Sequence, residues 1–463
     1  MATSPDRLKE GIKKQKVIQE LLRGNFYGKV YLVGGAIREL ILNSNPNDYD
    51  FALSDARDIK TFEAIFHSPA FILGKKPIHT HRIVIKDRSL DITILEGTIE
   101  EDLKRRDFTI NAIAYDIKGN SITDTLRGRE DIDRRVIRYP DENSIINDPL
   151  RMLKAVRHFT TLQDFSLHND LTRSITELGR LINNAAPERI KYEMDLILTS
   201  ANVAAGMKQL EESGLLFEIF PELDSLKRLD KEKQFTLETF GHTMDGFSYL
   251  HKYGRRYRLD EKEIKNVGYA LLFHDLGKAN TFTYDEKKDA VHFFYHERFS
   301  RDIAQSIMER LKFSTQEIKA VLSLIENHMR IFLISNDEST EKAMRRVVYK
   351  MGDLTPSLVI LTLCDMYGSS GGKNNASTQR VKKRCAEIIG MFMEWKRKPL
   401  PRLVTGGDLL LMGFPEGPLI GKCLGEIREK QIAGEVATKG EAMEYAREQL
   451  KTAGSNTPVS RES

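Results

Sequence analysis

The hydrophobic pattern of this chain changes character once, near residue 143, and that change restricts the fold more than any single motif does. Before it, short apolar runs of strand length alternate with helical stretches: KVYLVGG, AIRELIL, YDFAL, HRIVIKD and LDITIL. After it, apolar residues recur at helical spacing in DPLRMLKAVRHFTTL, NDLTRSITELGRLI and PERIKYEMDLIL. Strands clustered early with helices thereafter indicate an α+β protein, a small mixed α/β head followed by all-α segments. At 463 residues the chain is too long for one ordinary core, so roughly two to four domains are expected.

Local signals refine this reading. HRIVIKD and LDITIL predict a hairpin around Asp87 to Ser89, and TINAIAYDI is a helix or strand running into a turn at Gly119. Asp148 before Pro149 reads as an N-cap with proline in the first helical turn, and Pro187 opens a helix the same way. GSSGGKNNAS, 368 to 377, has the composition of a mobile loop, and AGSNTPVSRES, from about 453, that of a disordered tail. The expected division is a head over 1–140, a helical neck over 141–225, a histidine-rich helical domain over 226–395, a helical tail over 396–452 and the disordered end over 453–463.

Composition excludes several classes. With 40% hydrophobic and 30% charged residues the chain reads as soluble and globular. No apolar run approaches the length of a membrane span, so no membrane partner is expected, and the N-terminal MATSPDRLKEGIKK lacks the apolar core of a signal peptide. Cys364, Cys385 and Cys423 form neither a ligand pattern nor a disulfide framework, which suits a reducing, cytoplasmic location. A net charge of +4 does not announce nucleic acid, but arginine and lysine concentrate between residues 100 and 160, close in sequence to an acidic pair.

That pair is Asp48 and Asp50. Alternate positions on a strand share a face, so two bare carboxylates there would repel unless a hard divalent cation such as Mg²⁺ joined them; a solvated turn is the alternative. Asp91 adds a third acid on an apolar strand, needing either the same metal or a nearby arginine. Gly34-Gly35, between a strand and a helix, would set backbone N–H groups where phosphates could sit, or form a plain tight turn. Arg106, Asp107 and Asn111 could clamp a triphosphate and bond a ribose. Asp148 and Arg151, three apart, are either a surface ion pair or a hydrogen-bonding edge for a nucleobase. Further on, His242, the adjacent His274-Asp275 and Asp365 have the chemistry of a metal-ligand set, with satisfied core histidines as the alternative.

GGAIREL, DYD, RRDFTINAIA, DPLRMLKAVRH and ERIKYEM, in this order, resemble the successive motifs of the class II tRNA nucleotidyltransferases, a family of CCA-adding, CC-adding and A-adding enzymes and bacterial poly(A) polymerases. The resemblance spans about residues 28 to 225. It implies that Asp48 and Asp50 bind catalytic Mg²⁺ with Asp91 as third acid, and that Gly34, Gly35 and Arg38 hold the triphosphate. It further implies that Arg106, Asp107 and Asn111 contact base and sugar, and that Asp148 and Arg151 act as a protein template for the incoming base. The implied partners are a tRNA or other RNA 3′ end and CTP or ATP. HDLGK resembles an HD phosphohydrolase domain, in which His242, His274, Asp275 and Asp365 would bind a divalent transition metal and His296 and His328 a second.

The sequence departs from the family in three places: Glu39 stands for an aspartate, Asn147 precedes Asp148 where a glutamate is usual, and ITDTLRG lacks a proline and a glycine. LEGTIEEDLK also joins Asp91 to Arg105 without the flexible loop of CCA-adding relatives. In this family that loss goes with addition of two cytidines and no adenosine, which favours CC addition. The rival readings are a poly(A) polymerase and an HD phosphohydrolase whose head only binds RNA.

Overall fold

The computed structural model describes residues 4–73, 80–86, 88–231, 238–336 and 338–455. The chain divides into two compact units, Met1–Pro221 and Glu222–Ser463.

The first unit is built on a seven-stranded sheet. Its strands are β1 (Val30–Val33), β2 (Asp48–Leu53), β3 (Phe71–Leu73), β4 (Thr80–Ile85), β5 (Arg88–Ile94), β6 (Ala114–Asp116) and β7 (Ser121–Thr123). They lie in the order β3-β4-β5-β2-β1-β6-β7. Every neighbouring pair is antiparallel except β2 and β5, which run parallel and set Asp50 beside Asp91. The apolar VYLV of β1 is wholly buried, as a central strand requires. At its end Gly34 takes φ +78° and ψ −149°, a conformation open essentially to glycine alone, and the chain turns into the helix Gly35–Ile41.

The hairpin expected around Asp87 to Ser89 forms from β4 and β5, but it pairs Ile85 with Arg88, so the turn sits earlier than the sequence suggested. Asp87 itself lies outside the described residues. TINAIAYDI divides into a 3-10 turn over Thr109–Asn111 and β6. From β5 the chain passes through residues 95–98 into the helix Ile99–Arg105, whose start is fixed by a reciprocal Thr98–Glu101 capping box.

The remainder of this unit is mostly helical, as its periodicity predicts, with a two-residue strand, Ser166–Leu167, paired parallel to Val136–Ile137. The expected N-cap is corrected, however: the helix after Pro149 is Arg151–Thr161, with Leu150 at the cap. Asp148 instead ends the short helix Asn143–Asn147, and its main-chain carbonyl accepts from the Arg151 N–H at 3.0 Å. Pro187 does occupy the first turn of Pro187–Thr199.

Among its described residues the second unit is helical apart from a hairpin, Phe282–Asp285 with Ala290–Phe293. Its centre is the helix Thr355–Ser369, apolar on all sides and buried over nearly its whole length. With the adjoining helix it forms a stretch, Glu341–Ser369, long and apolar enough to cross a membrane, contrary to the expectation that no run would be. Its apolar window is 67% buried, and the reason for its composition is that it packs the core of this unit. Thr355–Ser369 meets the helix Thr239–Arg256 at glycines on both sides. A Cβ at Gly368 would come within 2.1 Å of the His242 carbonyl oxygen, and one at Gly246 within 3.1 Å of that of Cys364. The segment expected to be a mobile loop is shorter than its composition suggested, residues 370–375 between two helices. A separate small core of Val404, Leu409, Phe414, Cys423, Ile427 and Ala446 holds the last helices together. The tail expected from 453 overlaps the helix Lys439–Ser455, and from 456 it lies outside the described residues. All three cysteines are free and buried.

Candidate active site

β2 exposes Asp48 and half-buries Asp50 on one face, the parity expected of alternate strand residues. Ser89, the register partner of Asp48 on β5, donates a 2.6 Å hydrogen bond to its carboxylate. Gly34 faces Asp50: a Cβ there would lie 2.5 Å from Asp50 Oδ2 and 3.4 Å from the Arg106 guanidinium. Burial pushes the Asp50 carboxyl up to about 6, with Arg106 opposing and Asp91, Asp107 and Asp48 adding to the rise. A half-buried acid ringed by acids suits a hard cation, so the donor set fits Mg²⁺ at Asp48 and Asp50. Asp91 has another partner as well: Arg82, opposite it on β4, grips both its oxygens at 2.7 and 2.6 Å. The arginine alternative weighed for this acid is therefore realised.

Arg38 projects from the helix Gly35–Ile41, is buried, and donates to Asn111 Oδ1; burial lowers its pKa, and its Nε has no partner. Asn111 in turn donates to Asp107 at 2.9 Å, and Asp107 also accepts from the Phe108 N–H at 2.9 Å. Burial works to raise the Asp107 pKa, but Lys154, the Asn111 hydrogen bond and Arg151 outweigh it and keep the acid ionised. Arg106 is held by Asp102 at 3.0 Å. Asp102, Arg106, Asp107, Arg151 and Lys154 line a cavity of about 540 Å³. Glu39 lies 3.6 Å from Arg38, and in the 124–128 turn the Asp124 carboxylate accepts from the N–H groups of Gly128 and Arg129 at 2.7 and 3.1 Å.

The side chains of Asp148 and Arg151 do not pair with each other. Asp148 accepts from Arg189 at 3.2 Å, and Arg151 donates to the carbonyls of Arg105 and Arg106 at 2.8 and 3.1 Å. The Nε of Arg151 is buried without a partner. Sequence reasoning missed Arg82, Ser89, Asp102 and Arg189. A correct β4–β5 register would have pointed to Arg82, and the i, i+4 spacing to Asp102.

The second unit gathers the other candidate ligands from five helices or helix ends. His242, His274, His296 and His328 each donate Nδ1–H to a main-chain carbonyl three or four residues earlier, at 2.7 to 2.9 Å. Since a carbonyl can only accept, Nδ1 carries the proton of each bond, which leaves the four Nε2 atoms to face the carboxylates or one another. His242 and His274 Nε2 lie 3.0 and 3.3 Å from Asp275 Oδ2, and 3.5 and 3.6 Å from Asp365 Oδ1. His296 Nε2 lies 3.3 Å from Asp275 Oδ1 and 3.1 Å from His328 Nε2. These contacts leave the two Nε2 atoms of His242 and His274 and Asp275 Oδ2 buried without a hydrogen bond. Burial opposes charge on His274, yet Asp275 and Asp365 hold its pKa up to about 10, so the carboxylates demand a positive charge at this point. Within each of three overlapping groups the ligand atoms lie within 4.8 Å of one another, and the set fits a divalent transition metal. Lys278 also reaches Asp275 Oδ2.

A paired-acid sheet with a glycine turn and a basic cavity, and a separate histidine–aspartate cluster, define a nucleotidyltransferase head joined to an HD-type helical unit. Family models agree. The poly A polymerase head domain matches residues 79–138, the probable RNA and SrmB-binding site of polymerase A residues 164–227, and the HD domain residues 239–368. A CC-adding tRNA nucleotidyltransferase of Thermus thermophilus is 31% identical over 89% of this chain and 92% of its own. An A-adding tRNA nucleotidyltransferase of Deinococcus radiodurans is also 31% identical, over 89% and 94%. A solved CCA-adding enzyme in complex with CTP shares the fold, with a TM-score of 0.67 at 18% identity over 98% of both chains. The chain belongs to the tRNA nucleotidyltransferase family.

Proposed function

We propose that the chain adds nucleotides to the 3′ end of tRNA, with CTP as donor and two cytidines as its product. The observation that carries this reading is the meeting, in one unit, of Asp48 and Asp50, the Gly34 turn and the cavity lined by Arg106, Asp107 and Arg151. Asp48 and Asp50 would hold Mg²⁺, which when bound activates the terminal 3′-hydroxyl and stabilises the pyrophosphate leaving group. Ser89 and the β2–β5 register fix the direction of Asp48 before substrate arrives. Arg38, buried with an open Nε, supplies charge for the triphosphate, while Asn111 and Asp107 lock its guanidinium. Arg151 is held over the cavity by two carbonyls and keeps Nε free for a base edge, with Asp148 positioned by Arg189. This assigns the head to 1–140, the template-bearing neck to 141–225, the HD domain to 226–395 and a tail to 396–452.

Two cytidines rather than CCA is supported by the path between Asp91 and Arg105. A four-residue link leads straight into a capped helix, so this segment offers no lever to re-aim Arg151 for a different base. Identity to the CC-adding and A-adding relatives is the same, 31%, and does not discriminate. A second reading, phosphoester hydrolysis by the HD domain, is supported by the buried, inward-facing Nε2 atoms and Asp275 Oδ2. The test of the main reading is labelled tRNA lacking its 3′ CCA, incubated with each NTP alone and all together. Two cytidines followed by a stall are expected. A ladder of adenosines from ATP alone would make the chain a poly(A) polymerase, and a complete CCA end would refute the argument from the missing loop.

A further inference from the structure

Register sets Arg82, Asp91, Asp50 and Val33 in one row across β4, β5, β2 and β1. Cross-strand partners share a face, so Arg82 stands on the face that carries the acids. Gly34, which follows Val33, closes one flank of Asp50: a Cβ there would lie 2.5 Å from Asp50 Oδ2. Asp91 and then Arg82 form the other flank. Arg82 donates from Nε and Nη2 to the two Asp91 oxygens at 2.7 and 2.6 Å, and its side chain remains 36% exposed. The hydrogen bonds to Asp91, with the charges of Asp91, Asp48 and Asp50, raise its pKa against the effect of burial. In phosphoryl transfer the attacking and leaving oxygens lie roughly in line. With the triphosphate against Gly34 and Arg38, the pyrophosphate leaves on the β1 side, and the RNA 3′-hydroxyl arrives from the β5 side, where Arg82 stands.

We propose that Arg82 binds the last internucleotide phosphate of the RNA acceptor and, in turning to it, releases Asp91 to the catalytic cation. This rests on the nucleotidyltransferase reading of the head and adds the residue that positions the attacking strand. A guanidinium fork fits a phosphate as well as a carboxylate, and an ion pair this exposed is weak enough to exchange partners. A cation on the acids favours the exchange, because its charge competes with Arg82 for Asp91. The nucleotide that carries the attacking hydroxyl brings the replacement anion with it. Without RNA the arginine keeps Asp91, so the third acid joins the catalytic set only when an acceptor is in place.

The test compares two labelled tRNAs lacking the 3′ CCA, one natural and one whose last linkage is a neutral methylphosphonate. Binding to the full chain is read by fluorescence anisotropy in Mg²⁺ buffer without nucleotide. The wild type is expected to bind the natural RNA about tenfold more tightly, the worth of a hydrogen bond to a charged group. Arg82→Ala should bind both RNAs alike, and Arg82→Lys, which keeps the charge, should recover part of the preference. A residue that merely neutralised Asp91 would leave the preference intact in both variants. In EDTA the wild-type preference should shrink, because Asp91 then holds the arginine, whereas Asp91→Asn should keep it with or without Mg²⁺. Equal binding of the two RNAs by the wild type, or an undiminished preference in Arg82→Ala, would overturn the phosphate contact. A wild-type preference as large in EDTA as in Mg²⁺ would overturn the exchange with Asp91. Incorporation of CTP into the natural RNA by the wild type checks the reading beneath. Without incorporation both fall, and with it, equal binding of the two RNAs removes only the role of Arg82.

Discussion

Gly34→Ala should cripple nucleotide addition without unfolding the chain. The residue has φ +78° and ψ −149°, which an alanine reaches only at a cost of roughly 1–3 kcal/mol. The added methyl would also lie 2.5 Å from Asp50 Oδ2 and 3.3 Å from its Cγ. To reach ordinary van der Waals separation the carboxylate must retreat by roughly 1 Å. Retreat is resisted, because Asp50 is paired in register with Val33 and Asp91 on the neighbouring strands. A displacement of that size in a catalytic group lowers the rate by about 10²-fold. The neighbouring glycine provides the control. Gly35 has no positive φ, and a Cβ there would lie 3.3 Å from Arg38 Nη2, which asks for a far smaller adjustment than the 2.5 Å approach to Asp50 and adds no backbone strain. The assay is single-turnover CTP incorporation into labelled tRNA by wild type, Gly34→Ala and Gly35→Ala, with thermal denaturation in parallel. The expected order is wild type, then Gly35→Ala within about tenfold, then Gly34→Ala about 10²-fold down. Gly34→Ala within threefold of wild type, or Gly35→Ala as damaging as Gly34→Ala, would refute the reasoning.

Asp50→Ala should abolish incorporation at any Mg²⁺ concentration while leaving the metal content of the second unit unchanged; near-normal incorporation at saturating Mg²⁺ removes the residue from the catalytic set. Arg151→Ala should damage discrimination between CTP and the other NTPs more than it weakens tRNA binding, because base-edge contacts specify and phosphate contacts position. Competition assays that keep full CTP preference would end the template assignment. His274→Ala and Asp275→Ala should each release metal, read by elemental analysis of the purified chain, and retain nucleotide addition on short RNA. Unchanged metal occupancy in both variants would reject the site.

Much of the head was legible before any coordinates. The apolar VYLV run, the glycine pair and the DYD strand produce the elements expected of them, because strand parity and glycine's backbone freedom are local properties. The errors were errors of position. Placing the β4–β5 turn too late hid Arg82, since the true pairing sets Arg82 opposite Asp91. The i, i+3 spacing of Asp148 and Arg151 suggested one shared face, but the helix starts only at Arg151 and the two side chains answer to different partners.

By itself, the sequence determined that strands come early and helices follow, where the acids and histidines lie along the chain, and how short the link from Asp91 to Arg105 is. Tertiary structure alone decided their companions. Asp50 meets Asp91 because two strands 41 residues apart in sequence run parallel in one register. His242 comes within 3.5 Å of Asp365 because glycines at 246 and 368 let two helices approach almost backbone to backbone. Periodicity reports what each residue asks of its nearest neighbours. The charge partners of a buried acid are set by long-range packing, which no window of neighbouring residues contains.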